Sequence, residues 1–266
     1  MSRLAPIFER CRAENRAALV GYLPACYPSV KESVPAFLAL LEAGCDLVEI
    51  GVPYSDPVMD GPVIQAGAEA ALRGGARLRD VFGVLEAIAN AGEAAVLMTY
   101  YNPVFRHGVR AFARDVAAAG GLGVITPDLI PDEAGDWLAA ASAHDLDRIF
   151  LVAPSSTPAR LQATAAAGRG FVYAASTMGV TGARATVSSA APDLVRRVRA
   201  TGVDVPVGVG LGVRSGPQAA EVAAFADAVI VGSAFVTALD AGEPALRALA
   251  AELAAGVRGA AAPQPA

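Results

Sequence analysis

The stretch LVEIGVPYSDPVMDGPVIQ, residues 47–65, joins a short apolar run, a turn rich in Pro and Gly, and the start of a helical segment. An apolar run of this length predicts a strand with both faces buried, as in a parallel sheet. Two carboxylates interrupt the pattern, Glu49 within the strand and Asp60 in the turn. The stretch predicts a βα unit that carries acidic groups toward the end of its strand.

The same alternation of apolar run and helical segment occurs eight times along the chain. The predicted strands are 18–25, 46–53, 94–101, 122–129, 147–154, 170–177, 205–212 and 227–235. Eight βα units in 266 residues favour an α/β fold closed into a TIM (β/α)8 barrel. No G-x-G-x-x-G motif follows the first strand to indicate a dinucleotide fold. Catalytic groups are then expected at the C-terminal ends of the strands.

Capping residues mark several of the helices between these strands. Ser29 and Ser215 are candidate N-caps, and Gly44 is a candidate helix end. An extra N-terminal helix, around residues 5–16, is predicted to close the bottom of the barrel, and a second extra helix is predicted after strand two. We expect a single domain over residues 1–259, with residues 260–266 as a flexible tail.

Composition narrows the class of partner. Apolar residues make up 54% of the chain and charged residues 18%, which is typical of a folded enzyme. A net charge of −5 without a Lys/Arg run favours a small-molecule substrate over nucleic acid or an anionic membrane surface. No apolar stretch reaches the ~18 residues of a membrane span, and the start lacks a signal-peptide pattern, so we expect a cytoplasmic protein.

The cysteines and histidines give no support for a disulfide framework or a metal site. The three cysteines form no C-x-x-C pair. His107 and His144 are the only histidines, and neither has a second ligand at helical spacing. The sequence therefore predicts no bound metal.

Glu49 and Asp60 are the candidate catalytic pair. A carboxylate held at the barrel mouth among apolar neighbours has a raised pKa, which suits it to give and take protons near neutral pH. The alternative for Glu49 is an ion pair with an arginine outside the barrel, and for Asp60 a solvated turn residue. If both face one substrate, one can move a proton while the other accepts a hydrogen bond.

Glycines at the last two strand ends indicate a phosphate site. GVGLG, residues 208–212, contains Gly210 and Gly212, and VGSAF ends strand eight with Gly232 and Ser233. Backbone N–H groups can approach an anion closely there, and Ser233 can start a short helix whose N-terminus favours negative charge. The strand ends after strands seven and eight are a common phosphate site in TIM barrels. The alternative is ordinary turn chemistry.

Strand six supplies a tyrosine and a long loop. Tyr173 is predicted to face the interior, either as packing or with its hydroxyl toward the substrate. Residues 176–189 are rich in Gly, Thr and Ser, and are either a surface loop or a lid that brings Thr181 and Gly182 to the ligand. Lys31 is the only lysine and lies in a helical segment, so Schiff-base chemistry has no candidate nucleophile.

A series of motifs resembles the tryptophan synthase α subunit family. They are GYLPACYP (21–28), VEIGVPYSDPVMDGPVIQ (48–65), MTYYNPV (98–104), TPDLIPDEA (126–134), GFVYAASTMGVTGA (170–183), PVGVGLGV (206–213) and IVGSAF (230–235). The resemblance runs in order from about Leu19 to Phe235. Its long second motif is highly specific, whereas VGSAF alone would fit many phosphate-binding barrels.

The resemblance implies an activity and roles for the site residues. The family cleaves indole-3-glycerol phosphate to indole and glyceraldehyde 3-phosphate, a retro-aldol reaction without a cofactor. Glu49 would be the proton shuttle, and Asp60 would hold the indole N–H and stabilise the charge that develops on the ring. Further matches to family positions are Tyr173 as the active-site tyrosine, Tyr22 and Met98 in the indole pocket, and Gly182, Gly212, Gly232 and Ser233 at the phosphate.

The resemblance also implies a partner. The family forms an αββα heterotetramer, in which indole passes through a tunnel to a pyridoxal-phosphate site in the β subunit. Residues 53–60 and the segments near Asn102 and Asp132 would face that partner. The family usually has Gly in place of Cys26 and commonly Thr in place of Pro24, so the loop after strand one is expected to depart from the family pattern.

Two other functions stay open at this point. One is another phosphate-binding barrel, such as a sugar-phosphate isomerase or a thiamin-phosphate synthase, which would need a different base. The other is a barrel without catalytic activity that binds indole and activates a β subunit. The Glu49 and Asp60 pair argues against both.

Overall fold

The computed structural model describes residues 1–175, 190–210 and 212–259. Parallel strands form one sheet inside a layer of helices. The strands are β1 Ala18–Pro24, β2 Leu47–Gly51, β3 Ala95–Met98, β4 Gly123–Ile125, β5 Asp147–Ile149, β6 Leu151–Val152, β7 Val172–Ala175, β8 Val207–Gly210 and β9 Ala228–Val231. The helices are α1 Ala5–Ala13, α2 Val30–Glu42, α3 Pro62–Arg73, α4 Leu78–Asn90, α5 Tyr101–His107, α6 Val109–Ala118, α7 Gly135–Ala143, α8 Pro158–Ala167, α9 Ala190–Arg199, α10 Gly216–Ala223, α11 Ser233–Asp240 and α12 Glu243–Gly259, with a 3-10 turn at Pro131–Glu133.

The predicted TIM barrel is confirmed, with one predicted strand divided in two. The strand order is β5-β4-β3-β2-β1-β9-β8-β7-β6, all parallel. β5 and β6 flank Phe150, and they pair with β4 and β7 respectively. Ile149 O accepts the Thr126 N–H at 3.2 Å and Phe150 O accepts the Tyr173 N–H at 3.0 Å. This single stretch therefore closes the sheet on itself.

The predicted extra helices are present, whereas several predicted strands, among them 46–53, 94–101, 122–129 and 227–235, extend beyond the observed strand ends. α1 precedes the barrel, and both α3 and α4 lie between β2 and β3. The strand predicted over 94–101 ends at Met98, because the Asp128 carboxylate accepts the Tyr101 N–H at 2.9 Å and helix α5 begins there. Ser29 caps α2 as predicted, accepting the Glu32 N–H at 3.2 Å.

Helix α1 closes the bottom of the barrel. Its buried residues Ile7, Phe8 and Cys11 pack with inward-facing residues near the starts of the strands, among them Leu47 and Phe171. This leaves the opposite, C-terminal ends of the strands as the open end. Among the described residues, no helix is long and apolar enough to cross a membrane.

A buried ion pair ties this closed end together. Arg16 donates to both carboxylate oxygens of Asp46 at 2.6 and 2.8 Å, and the Leu19 N–H donates to the same group at 3.0 Å. The two side chains are only 6% and 4% exposed. Burial alone would raise the pKa of Asp46, but these bonds together hold it below its usual value.

We expect Asp46→Ala to lower the free energy of unfolding by about 3–5 kcal/mol, because the buried Arg16 guanidinium loses Asp46 and keeps only the half-exposed Glu14 as an acidic partner. Urea unfolding of the purified chain measures this. Glu69→Ala is the matched control, since it removes the exposed pair between Glu69 and Arg73 and should cost no more than about 0.5 kcal/mol. Similar losses in the two variants would contradict a structural role for the buried pair.

Candidate active site

Glu49 faces the barrel interior. It lies two residues after Leu47, which belongs to the interior cluster, and strand alternation places both on the same face. The side chain is 0% exposed, and neither carboxylate oxygen has a hydrogen-bond partner among the described residues. Burial raises its pKa to about 8. The group is therefore mostly protonated at neutral pH and can both donate and accept a proton.

Asp60 lies in the irregular loop between β2 and α3 and is half-buried. Its carboxylate accepts a hydrogen bond from the Tyr100 hydroxyl at 3.1 Å. Burial raises the pKa of Asp60, and the bond from Tyr100 opposes that shift. The geometry does not fit a freely solvated turn residue.

Two tyrosines share the electrostatic environment of the carboxylates. Tyr22 is paired with Glu49 across β1 and β2, and Tyr173 lies in β7 with the interior cluster. Burial raises the pKa of both phenols well above 10, and the charges of Asp60 and Glu49 raise it further. Strands β1, β2 and β7 and the loop after β2 thus bring the four side chains to one end of the barrel.

Glycines leave room for the two tyrosine rings. A Cβ atom on Gly51 would overlap the Tyr22 hydroxyl oxygen, and one on Gly210 would lie 2.5 Å from that of Tyr173. Side chains at these two strand ends would therefore displace the rings. Sequence reasoning assigned Gly210 only to a phosphate site and missed Gly51, because the need for glycine comes from a neighbouring strand.

A model of the tryptophan synthase alpha chain family matches residues 8–261. The chain belongs to this family. The curated tryptophan synthase alpha chain of Mycobacterium tuberculosis (strain ATCC 25618 / H37Rv) is 70% identical over 257 residues, which cover 97% of this chain and 95% of the relative. That of Mycobacterium marinum is 69% identical with the same coverage. The resemblance seen in the sequence motifs is confirmed.

Solved structures agree with the family assignment. A structure of M. tuberculosis tryptophan synthase aligns with a TM-score of 0.93 at 69% identity, covering 97% of this chain and 98% of that one. The tryptophan synthase complex of Pyrococcus furiosus aligns with a TM-score of 0.80 at 31% identity, covering 90% and 97%. The barrel is therefore kept across members with little sequence in common.

The glycine-bearing ends of β8 and β9 are adjacent, since Gly210 pairs with Ile230. Gly232 is the N-cap of α11, and Ser233 is its buried first residue. Gly212 has a φ of +66°, which favours glycine. These positions place the N-terminus of α11 at the open end, where its N–H groups are suited to an anion. Thr181 and Gly182, with the whole predicted lid at 176–189, lie outside the described residues.

The remaining predicted positions lie around the same end. Met98 ends β3 opposite Gly51 and contacts the interior cluster. Pro24 ends β1, and Cys26 follows it with a φ of +62°, a conformation that glycine adopts more readily. Cys26 is buried and its N–H donates to Ser33 Oγ at 2.9 Å. Cys26 therefore holds a left-handed backbone conformation at a position where the chain carries no glycine.

Tyr100 is the functional candidate that sequence reasoning missed. It was placed inside a strand, whereas the strand ends at Met98 and Tyr100 is the N-cap of α5. The signal was the TYYN segment at a strand end, where polar aromatic groups meet the open end of a barrel.

No cluster of three metal-ligating side chains occurs among the described residues.

The burial of Glu49 predicts a pH-dependent stability change. Because its folded-state pKa is raised, ionisation costs stability as the pH rises from the unfolded value, about 4.5, to about 8. We expect Glu49→Gln to be more stable than the parent, by an amount that grows by roughly 1 kcal/mol per pH unit over that range and then levels off. Urea unfolding at several pH values measures it.

The control for this prediction is Glu93→Gln, which changes an exposed glutamate in the same way. Its stability relative to the parent should stay constant with pH. A flat difference for Glu49→Gln as well would show that the Glu49 carboxylate is paired or hydrated.

Proposed function

We propose that this chain cleaves indole-3-glycerol phosphate to indole and glyceraldehyde 3-phosphate, as a carbon–carbon lyase. The supporting observation is a buried Glu49, with no hydrogen-bond partner in the part of the chain that the structure describes, that shares one end of the barrel with Asp60 in a member of the tryptophan synthase alpha chain family. A fold of this kind hosts many reactions, so the proposal depends on the site rather than on the barrel.

Glu49 serves as both acid and base in the proposed reaction. In its protonated form it donates a proton to C3 of the indole ring, and the ring nitrogen becomes positively charged. The resulting carboxylate then accepts the proton of the adjacent glycerol hydroxyl. The bond from C3 to that carbon breaks, its electrons restore the aromatic ring, and the carbon becomes the aldehyde. A pKa of about 8 allows both steps near neutral pH.

Asp60 stabilises the charge that develops on the ring nitrogen. As a carboxylate it accepts the indole N–H, and the attraction is stronger in the charged intermediate than in the substrate. Tyr22 and Met98 form the walls of the indole pocket, and Tyr173 offers its hydroxyl to the reacting end. The backbone at Gly212, Gly232 and Ser233 holds the phosphate, with Thr181, Gly182 and Gly210 as further substrate contacts.

We expect Glu49→Gln to abolish indole release and Asp60→Asn to reduce kcat by about a hundredfold or more, since each removes a charge needed in the transition state. Indole formation from indole-3-glycerol phosphate measures both. Binding of glycerol phosphate, which occupies only the phosphate site, should stay within about threefold of the parent.

Several outcomes would contradict these roles. Turnover of Glu49→Gln within about tenfold of the parent would exclude Glu49 as the proton shuttle. Unchanged turnover in Asp60→Asn would return Asp60 to a loop residue. A parent chain that binds indole and activates a β subunit, but releases no indole alone or in complex, would favour the non-catalytic alternative.

The partner is a tryptophan synthase β subunit, and a group of exposed apolar side chains supports the location of the contact. Val58, Phe105 and Ile130 are 71%, 67% and 41% exposed. They lie in the three segments expected to face the partner: the loop after β2, helix α5, and the turn before Pro131. The first and third segments each bond to the start of α5, through Met59 with Tyr100 and Asp128 with Tyr101, and exposed apolar groups on adjoining segments indicate an interaction surface. The pyridoxal phosphate chemistry is expected of the β subunit, and no step above uses a cofactor in this chain.

We expect Phe105→Ser to weaken binding of a β subunit about tenfold or more, because an aromatic anchor at an interface contributes more than its neighbours. Titration of the labelled chain with purified β subunit measures this. Val30→Ser is the control, since Val30 is 46% exposed but lies outside the three segments. Equal effects of the two changes, or none from Phe105→Ser, would place the contact elsewhere.

A further inference from the structure

Tyr100 contacts both the backbone and the side chain of the loop that carries Asp60. Its hydroxyl accepts the Met59 N–H at 2.9 Å and donates to the Asp60 carboxylate at 3.1 Å. Because the Met59 N–H occupies a lone pair of the hydroxyl oxygen, the hydroxyl proton is directed at Asp60. One buried group, 6% exposed, thus fixes two neighbouring positions of an irregular loop.

Tyr100 is itself firmly held. The residue after it, Tyr101, donates its N–H to Asp128, which anchors the start of α5. The Tyr100 ring packs against that of Tyr54 with centroids 5.4 Å apart, and the Tyr54 hydroxyl accepts Asn102 Nδ2–H at 2.9 Å. Because these contacts hold Tyr100 in place, its hydroxyl can orient a side chain of the loop. Catalytic groups need such support from rigid neighbours.

We propose that Tyr100 is a positioning residue for the cleavage reaction, holding Asp60 ionised and aimed at the indole N–H. This inference rests on the proposed function. A hydrogen bond donated to a carboxylate favours its charged form, whereas burial favours the neutral form. Without the Tyr100 hydroxyl, Asp60 would be both less ionised and free to turn away.

The pH dependence follows from the groups that face Asp60. Tyr100 from the end of β3 bonds to it, and the charge of Asp60 acts on Tyr22 from β1 and Tyr173 from β7, which also feel the charge of Glu49 from β2. The three phenols stay neutral in the acid range because burial raises their pKa. Glu49 is also neutral there, with a pKa of about 8. The acid limb of kcat therefore reports Asp60, and the alkaline limb reports loss of the Glu49 proton.

The test is Tyr100→Phe in the full chain, assayed for indole release with and without β subunit from about pH 5 to about pH 9. We expect kcat at neutral pH to fall about tenfold or more, with KM within about threefold, since the lost interaction acts on the transition state. The acid limb should move to higher pH while the alkaline limb stays in place. Tyr27→Phe is the matched control, because it removes a Tyr hydroxyl that donates to Asp240, a carboxylate outside the site.

An activity-independent measurement separates this inference from the proposed function. Carbon-13 labelling of Asp side chains lets the Asp60 pKa be followed by NMR in the parent and in Tyr100→Phe. A higher Asp60 pKa in the variant supports the inference even if the parent releases no indole, in which case the proposed function fails alone. An unchanged Asp60 pKa, or kinetics matching those of Tyr27→Phe, would overturn it. Equal loss at every pH together with loss of glycerol phosphate binding would show a merely structural role and would also overturn it.

Discussion

The site depends on one unfavourable interaction, the burial of the Glu49 carboxyl group without a hydrogen-bond partner from residues 1–175, 190–210 or 212–259. A buried polar group in this state costs free energy that the rest of the fold must offset. A closed parallel sheet can do so, because residues on both sides of β2 hold its backbone in register with β1 and β3.

A comparison of Glu49 with Asp46 shows that buried carboxylates have different surroundings at the two ends of the barrel. Asp46 lies three residues earlier on the same segment and is also buried, yet two arginines and a backbone N–H bond to it. Its pKa is lowered, whereas that of Glu49 is raised. The closed end of the barrel thus keeps Asp46 paired for stability, whereas at the open end Glu49 has no hydrogen-bond partner among the described residues and is available for chemistry. The same separation of stability and function is general in this fold.

The sequence predicts the strands and the unusual position of Glu49. It does not predict three other features of the site, and each has a physical reason. Apolar runs reveal buried parallel strands, and a glutamate inside such a run stands out against its neighbours. The sequence around Phe150 does not predict that the strand divides there and pairs with two different strands, because the division depends on where the sheet closes. The requirement for Gly51 arises from the Tyr22 ring on the next strand. The contact between Tyr100 and Asp60 joins residues forty positions apart, which no local pattern encodes.

Helix α5 links the surface for the partner to the candidate site. Phe105 points into solvent from this helix, while its N-cap residue, Tyr100, reaches inward to Asp60. The helix has only seven residues, so the two positions belong to one rigid piece of structure. A partner that fixes α5 also fixes the backbone from which the Tyr100 ring extends. Coupling between binding and catalysis then needs no long pathway, because one short element contacts both.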